Sequence, residues 1–371
     1  EDHPDGTLVT DSISTRLPAS ALASYFAYRQ HQLINDIAFL ERVAHLQPER
    51  PLTVAVTGSR GLVGRAVTAQ LGTAGHEVIQ LVRKNPKEGQ RLWEPWSPAE
   101  DLLEGVDVLI HLAGEPIYGR FNDSHKKAVR DSRVTPTHRL ARLVAETPGV
   151  TTMISASAVG VYGSDRGEEL LTETSGRGEG FLADVVADWE AATAPASEAG
   201  KRVLNVRFGV ILSGRSGMLP VVKALFSTGL GGNFGDGNLW FPWIALDDAT
   251  DVLVRGVLDP QWSGPVNAVA PTETRNRDFT AALSKQLRRP AVIPIPSIGP
   301  AIILGRQGAQ ELTLANQRVR PQMLLDAGHT FRYPTLDRAL AHELGGEELW
   351  DKAPELEAAE PGELEDKAGE G

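Results

Sequence analysis

"VAVTGSRGLVGRAV", residues 54–67, decides how the rest of the chain is read. A short β-branched apolar run ends at Gly58, and Gly61 and Gly64 follow at intervals of three. Such a run argues for a buried strand, and the apolar spacing after Gly61 argues for a helix. Glycine at the strand end permits a tight turn. The second glycine lets backbone N–H groups approach a pyrophosphate, and the third lets helix and strand pack closely. Within a strand–turn–helix unit the three glycines predict a dinucleotide-binding turn.

Outward from this stretch the pattern alternates. Strands are expected at 53–58, 77–83, 107–114, 151–157 and 202–212, and helices at about 62–74, 122–146 and 180–199. Apolar strands separated by helices imply βαβ units and a parallel sheet. The second strand ends "LVRK", with Arg83 and Lys84 where an NAD-specific site usually carries a carboxylate for the ribose 2′-hydroxyl. Arg60 sits inside the glycine turn. Guanidinium groups clamp phosphates, so the expected cofactor is NADP(H) over NAD(H). After 213 the chain turns irregular, with helices near 248–258, 276–288 and 335–343. Asp247 and Asp248 precede the first of these and read as its caps. The glycine-rich stretch 229–243, with Phe234, Trp240, Phe241 and Trp243, is expected to form a flap over a substrate pocket. At the other end, Val9, Ile13 and Leu17 alternate, which predicts a strand over 7–17, and Pro18 opens a helix to about Val43. The break at 46–51 bounds this piece. One strand and one helix are too little to fold alone.

The composition limits the function classes. Of 371 residues, 41% are apolar and 23% charged, a globular balance. No apolar run approaches the roughly 18–20 residues of a membrane span. The acidic start is unlike a signal peptide, and an opening Glu1 in place of Met fits a fragment or a processed form. With no cysteine, disulfides, thiolate nucleophiles and cysteine-bound zinc are excluded, and a cytoplasmic setting is expected. The nine histidines have no metal-ligand spacing, so no metal site is expected. Of the net charge of −11, residues 346–371 contribute −8 with ten acids and two lysines. That segment reads as a disordered acidic tail. The acidic body argues against a nucleic-acid partner and leaves an unassigned small molecule as substrate, with a homo-oligomer compatible.

Seven segments in order then carry a resemblance. "TGSRGLVG", "HLAGEPI" (111–117), "ISASAVGVYG" (154–163), "FLADVVADWE" (181–190), "RFGVIL" (207–212), "GPVNAVAP" (264–271) and "RPQMLLDAGHTFRYPTLDRAL" (320–340) resemble an atypical branch of the extended short-chain dehydrogenases/reductases. This is the sugar-nucleotide epimerase-like family, sometimes labelled a cell-division inhibitor. The resemblance implies an α/β fold: a Rossmann-type doubly wound parallel sheet binding NADP(H) over 52–212, with a small C-terminal α/β substrate region over 213–345. It implies that Gly58, Arg60, Gly61, Leu62, Val63 and Gly64 form the dinucleotide turn and that Arg83 meets the ribose phosphate. It also places Leu112, Ala113 and Gly114 along the cofactor, Ser155, Ala156 and Ser157 beside the nicotinamide, and Phe208, Gly209 and Val210 over that ring. Residues 1–46 look like the closing strand and helix of a START-like domain.

The departures from the family bear on activity. Catalytic members carry a Tyr-x-x-x-Lys helix, whose Tyr is the acid/base. Here Leu182 and Val186 stand at those positions, and Ala245 stands where many members have His. "GFLADVVADWE" is expected to be a structural helix burying Phe181, Leu182, Val185 and Trp189, with Asp184, Asp188 and Glu190 off that face. The candidate proton carriers are then Ser157, Tyr162 and Glu115. Three functions follow: an NADP(H)-dependent oxidoreductase or epimerase with a non-standard proton path, a sensor that binds NADP(H) without turnover, and a cell-division regulator that rests on the family label alone.

Overall fold

The computed structural model describes residues 2–3, 6–7, 9–229, 231–233, 235–291 and 304–350. Two short strands, β1 (Asp2–His3) and β2 (Gly6–Thr7), pair at the start. The strand expected over 7–17 does not continue: residues 9–17 carry no strand, and Val9, Ile13 and Leu17 are exposed. Alternation without a neighbouring strand leaves the backbone unpaired, so the pattern alone is not enough. Helix α1 (Ala19–Arg42) follows. It is no separate unit, because Phe39 at its end and Val43 join the same core as Val54 and Leu71.

In chain order the main strands are β3 (Thr53–Thr57), β4 (Glu77–Val82), β5 (Gln90–Leu92), β6 (Val108–His111) and β7 (Thr152–Ala158). Then come β8 (Asp165–Leu171), β9 (Arg202–Phe208), β10 (Val210–Leu212), β11 (Trp243–Ala245), β12 (Gly264–Ala268) and β13 (Asn316–Val319). Seven of them form one parallel sheet in the order β12-β9-β7-β6-β3-β4-β5. Successive side chains point to opposite faces. Thus Val54 and Val56 enter a core with Val67 and Leu71 of α2 (Leu62–Thr73), while Ala55 enters the opposite core. That second core holds Leu140 and Val144 of α3 (Asp123–Glu146). Helices on both faces make the sheet doubly wound. The chain runs outward in both directions from β3, so the order reverses between β3 and β6, where such sheets bind ligands at their carboxyl ends.

The expected single strand 202–212 is two. Gly209 separates β9 from β10, and β10 leaves the main sheet to pair with β11. A methyl group on Gly209 would lie 2.7 Å from the Pro242 carbonyl oxygen, so only glycine allows this crossing. Later β12 returns to the open edge of the main sheet, where Pro265 is tolerated. Helices α4 (Phe181–Ala191) and α5 (Ala194–Glu198) precede β9. Helices α6 (Met218–Ser227), α7 (Leu246–Leu258) and α8 (Asn276–Leu287) follow it. Among the described residues, no helix is long and apolar enough to cross a membrane.

Two expectations about charge change in the folded chain. Asp248 does not cap α7 with its side chain; it accepts the N–H groups of Arg332 at 2.6 Å and Tyr333 at 3.1 Å. Asp251 pairs with the almost fully buried Arg332. The first residues of the expected acidic tail are also docked. Trp350 stacks on His31 of α1 and donates its N–H to Gln30 at 2.8 Å, while Glu347 reaches His31 and His342. Residues 351–371 lie outside the described residues.

Candidate cofactor crevice

The glycine turn closes the carboxyl end of β3. Gly58 has φ +67°, and a methyl group there would come within 2.8 Å of the Leu112 carbonyl carbon. The Gly61 N–H donates to the Gly58 carbonyl at 2.8 Å. A methyl group on Gly64 would meet Ser59 Cα at 2.7 Å and the Gly58 carbonyl oxygen closer still, so α2 is packed directly on the turn. Helix α2 has Gly61 as N-cap, no side-chain cap and no acidic residue in its first turn. Its first N–H groups and its dipole are thus open to an anion. Leu62 and Val63 begin it, both half-buried. These features fit a dinucleotide pyrophosphate.

The β4 side of the turn is cationic. Arg60 and Arg83 are exposed, and among the described residues neither has a carboxylate within ion-pair distance. Arg60 makes only long contacts, to the Lys84 carbonyl at 3.5 Å and Gln90 Oε1 at 3.4 Å. On the other side of the turn, Thr57 Oγ1 accepts the N–H groups of Leu112 and Ala113 at 3.1 and 3.3 Å. It also bonds His111 Nδ1 at 2.7 Å. Burial, reinforced by the charge of Arg133, pushes His111 down to about 3, so it is a neutral structural residue. The Glu115 N–H is held by Ser132 Oγ of α3 at 3.0 Å, and its side chain is exposed.

Beyond β6 lies the end of β7. Ser155 is fully buried and donates to the Ala156 carbonyl at 3.1 Å. The Ser157 hydroxyl donates to Glu190 Oε1 at 2.5 Å. Glu190 also accepts from Arg207 Nε and Nη2, each at 2.8 Å. Arg207 Nη1 donates to the Tyr162 hydroxyl at 3.0 Å. The Tyr162 hydroxyl is thus engaged within the protein. Tyr162 is wholly buried, its hydroxyl lies 2.7 Å from Asn267 Oδ1 and 2.9 Å from the Thr172 carbonyl, and burial raises its pKa. Phe208, Gly209 and Val210 are half-buried where the chain leaves the sheet.

Sequence reasoning missed the Glu190–Arg207 pair. Glu190 was expected off the buried face of α4, yet its carboxylate turns toward the sheet. The signal was Arg207, the one charge inside the mostly apolar "VLNVRFGVIL", since buried charges are kept only when paired. The rest of α4 packs inward: Leu182, Val185, Val186 and Trp189 are buried and Phe181 is half-buried. Leu182 and Val186 each lie near Gly160, 3.8 Å from where its Cβ would be. Glu311, in the turn Ala309–Thr313, accepts the N–H groups of Phe181 and Leu182 at 3.3 and 2.7 Å and so caps α4.

The expected flap over 229–243 is largely anchored. Trp243 is buried, Phe241 packs on Phe279 at 4.8 Å, and Trp240 lies between Arg275 at 3.8 Å and Arg318 at 5.0 Å. Phe234 lies outside the described residues. Among the described residues, no three His, Asp or Glu side chains group as a metal site.

Comparison with known proteins places the chain among relatives of known family. The profile of the NAD dependent epimerase/dehydratase family matches residues 54–265, and a domain of unknown function, DUF1731, matches 295–343. Epimerase family protein Mb2239 of Mycobacterium bovis is 40% identical over 293 residues, 78% of this chain and 96% of its own length. The crystal structure of a nucleoside-diphosphate sugar epimerase from Corynebacterium glutamicum is 59% identical, with a TM-score of 0.83, over 94% of this chain and 70% of that one. Human epimerase family protein SDR39U1, solved with NADPH, is 31% identical, with a TM-score of 0.72, over 79% of this chain and 99% of its own.

Proposed function

Because the chain belongs to the NAD dependent epimerase/dehydratase family, we propose that it binds NADP(H) as an oxidoreductase or epimerase with a non-standard proton path. The observation that carries the cofactor choice is the pairing of an open α2 N-terminus with Arg60 and Arg83, neither held by a carboxylate. NADPH in the human relative supports the same choice. Gly58, Gly61, Leu62, Val63 and Gly64 hold the pyrophosphate, and Arg60 and Arg83 take the 2′-phosphate. Leu112, Ala113 and Gly114 line one side of the crevice, with Ser155 and Ala156 on the nicotinamide side and Phe208, Gly209 and Val210 closing over it.

When bound, the nicotinamide supplies hydride exchange with a carbonyl or carbinol carbon. The protein's part is to orient the reacting group and move a proton. Ser157, at the end of β7, is the hydroxyl to do this, with its own proton directed to Glu190. A substrate hydroxyl donating to Ser157 Oγ is thereby connected to a carboxylate through one bridging oxygen. Glu115, exposed at the same edge, is the second carboxylate available. The substrate class is a small carbonyl compound or a nucleotide-sugar.

One observation favours a second reading, an NADP(H) sensor without turnover. Leu182 and Val186 stand at the family's acid/base positions and are buried against the turn Val159–Tyr162. Fluorescence titration tests the part common to both readings. NADPH should bind ten- to a thousandfold tighter than NADH, about 1.4 kcal/mol per tenfold. Equal affinities would remove the Arg60/Arg83 assignment. A panel of aldehydes, ketones and nucleotide-sugars separates the two readings, since only the enzyme consumes NADPH.

A further inference from the structure

Helix α4 brings no cation to the crevice, because Val186 fills the lysine position. Helix α3 does. A methyl group on Gly114 would lie 3.2 Å from Arg133 Cζ, 3.4 Å from Nη2 and 3.5 Å from Nη1. Distances so nearly equal mean that the guanidinium turns its flat face to Gly114. Its Cζ also lies over the Trp189 ring, 5.2 Å from the centroid. Nη1 donates to the Val129 carbonyl at 3.1 Å and to Ser132 Oγ at 3.4 Å. Among the described residues, Nη2 and Nε have no hydrogen-bond acceptor and no carboxylate lies within ion-pair distance. Burial pushes the group down to about 10, with Glu115 opposing, so it remains charged at neutral pH. A half-buried cation with idle donors is costly unless something pairs with it.

Its place indicates the partner. The glycine turn packs on Leu112 and Ala113, and Gly114 is the next residue along the same edge. Arg60 and Arg83 lie on the β4 side of that turn. Arg133 lies on the β7 side, where its charge is felt at His111, the β6 partner of Ser155. We propose that Arg133 supplies the cation for the nicotinamide-ribose half of the cofactor, in place of the lysine that α4 lacks. The inference rests on the NADP(H) reading above. The chemistry is that of a planar donor fork meeting ribose hydroxyls and the adjoining phosphate oxygens.

Two probes test it: NADPH, and 2′,5′-ADP, which carries only the adenosine half. Arg133→Ala should weaken NADPH by tenfold or more and leave 2′,5′-ADP within twofold. Arg133→Lys should recover at least part of the NADPH affinity, which a purely packing role on Trp189 would not give. Arg133→Gln, with thermal melts of all three variants, guards against an alanine variant that fails to fold. Unchanged NADPH affinity in folded variants would overturn the proposal, and so would an equal loss for both probes. A wild-type protein that binds neither probe would overturn the NADP(H) reading itself, whereas wild-type binding with silent Arg133 variants would overturn this inference alone.

Discussion

The Ser157 hydroxyl and Arg207 bind the same carboxylate, Glu190, one through a 2.5 Å bond and the other through two bonds of 2.8 Å. Arg207 is nearly buried. Removing the negative charge leaves a guanidinium in the interior with half its partners, and breaking such a pair costs about 3–5 kcal/mol when burial is complete. Glu190 keeps some contact with solvent, so Glu190→Gln should lose about 2–4 kcal/mol in urea denaturation. Ser157→Ala removes one neutral donor to that carboxylate and leaves the Arg207 pair intact, so it should lose less, about 1.5 kcal/mol. Equal losses for the two variants would mean that the ion pair does not hold this corner together.

The three glycines of the turn should separate in their effects. At Gly61 the backbone is extended, and the nearest obstacle to a side chain is the Gly58 carbonyl oxygen at 3.1 Å. Gly61→Val should therefore melt within a few degrees of wild type while losing NADPH, since the branch occupies the pyrophosphate's place. Gly64→Ala has no such room, and overpacking there should cost about 2–3 kcal/mol as well as binding. If Gly61→Val binds NADPH normally, the turn is not the phosphate site.

Arg83→Asp should erase or reverse the preference for NADPH, because a carboxylate repels the 2′-phosphate and accepts from the 2′-hydroxyl. The wild-type preference should also shrink with added salt, since both arginines are exposed and screening acts on them fully. Titrations of NADPH and NADH at two ionic strengths measure both effects.

His342 sets a pH dependence. It stacks between Tyr28 at 4.5 Å and Tyr333 at 4.7 Å and faces Asp247 at 3.1 Å and Glu347 at 2.8 Å. Burial works against its charge, but the Asp247 and Glu347 hydrogen bonds prevail and raise it from 6.5 to about 9. A raised folded pKa stabilises fully below the unfolded value, and the benefit is lost as pH climbs through the folded one. Between pH 6.5 and 9.5 the wild type should therefore lose on the order of 2–3 kcal/mol that His342→Gln does not lose. Parallel Tm–pH curves for the two proteins would contradict this.

Placing a Tyr-x-x-x-Lys pair on α4 should not create chemistry. Leu182 and Val186 are filled in by neighbours, so Leu182→Tyr with Val186→Lys places a ring and an ammonium in occupied apolar space. A large loss of stability is the expected outcome, of several kcal/mol. A stable double variant with new turnover would show that the α4 face can open to the crevice.

Much of the sheet was legible because buried parallel strands read as apolar runs and the glycines punctuate them. β3, β4, β7 and the helices α2 and α3 fall within a residue or so of their expected bounds. What escaped depends on distant partners. Gly209 is followed directly by the apolar Val210, Ile211 and Leu212, so nothing local announces that the strand changes sheets there. β8 is mostly polar and exposed, and its register with β13 joins residues about 150 positions apart. Arg60 and Arg83 drew notice from sequence position alone, and the structure leaves both exposed beside the turn. Arg133 drew none, because its meaning comes from Gly114 and Trp189, which lie on two other elements. In the tail, abundant acid hid Trp350, whose ring is docked on α1.

The cap that Glu311 places on α4 has a consequence for inheritance. Helix α4 opens on Gly180, which offers no side chain, and its end groups are met from about 130 positions downstream. A helix that carries its own cap can be recombined with any neighbour. This one cannot: a chimera that keeps residues 52–212 and takes a foreign C-terminal half would leave the first turn of α4 without the Glu311 carboxylate. The segments on either side of 213 are therefore tied together at the start of α4 and do not exchange as separate modules.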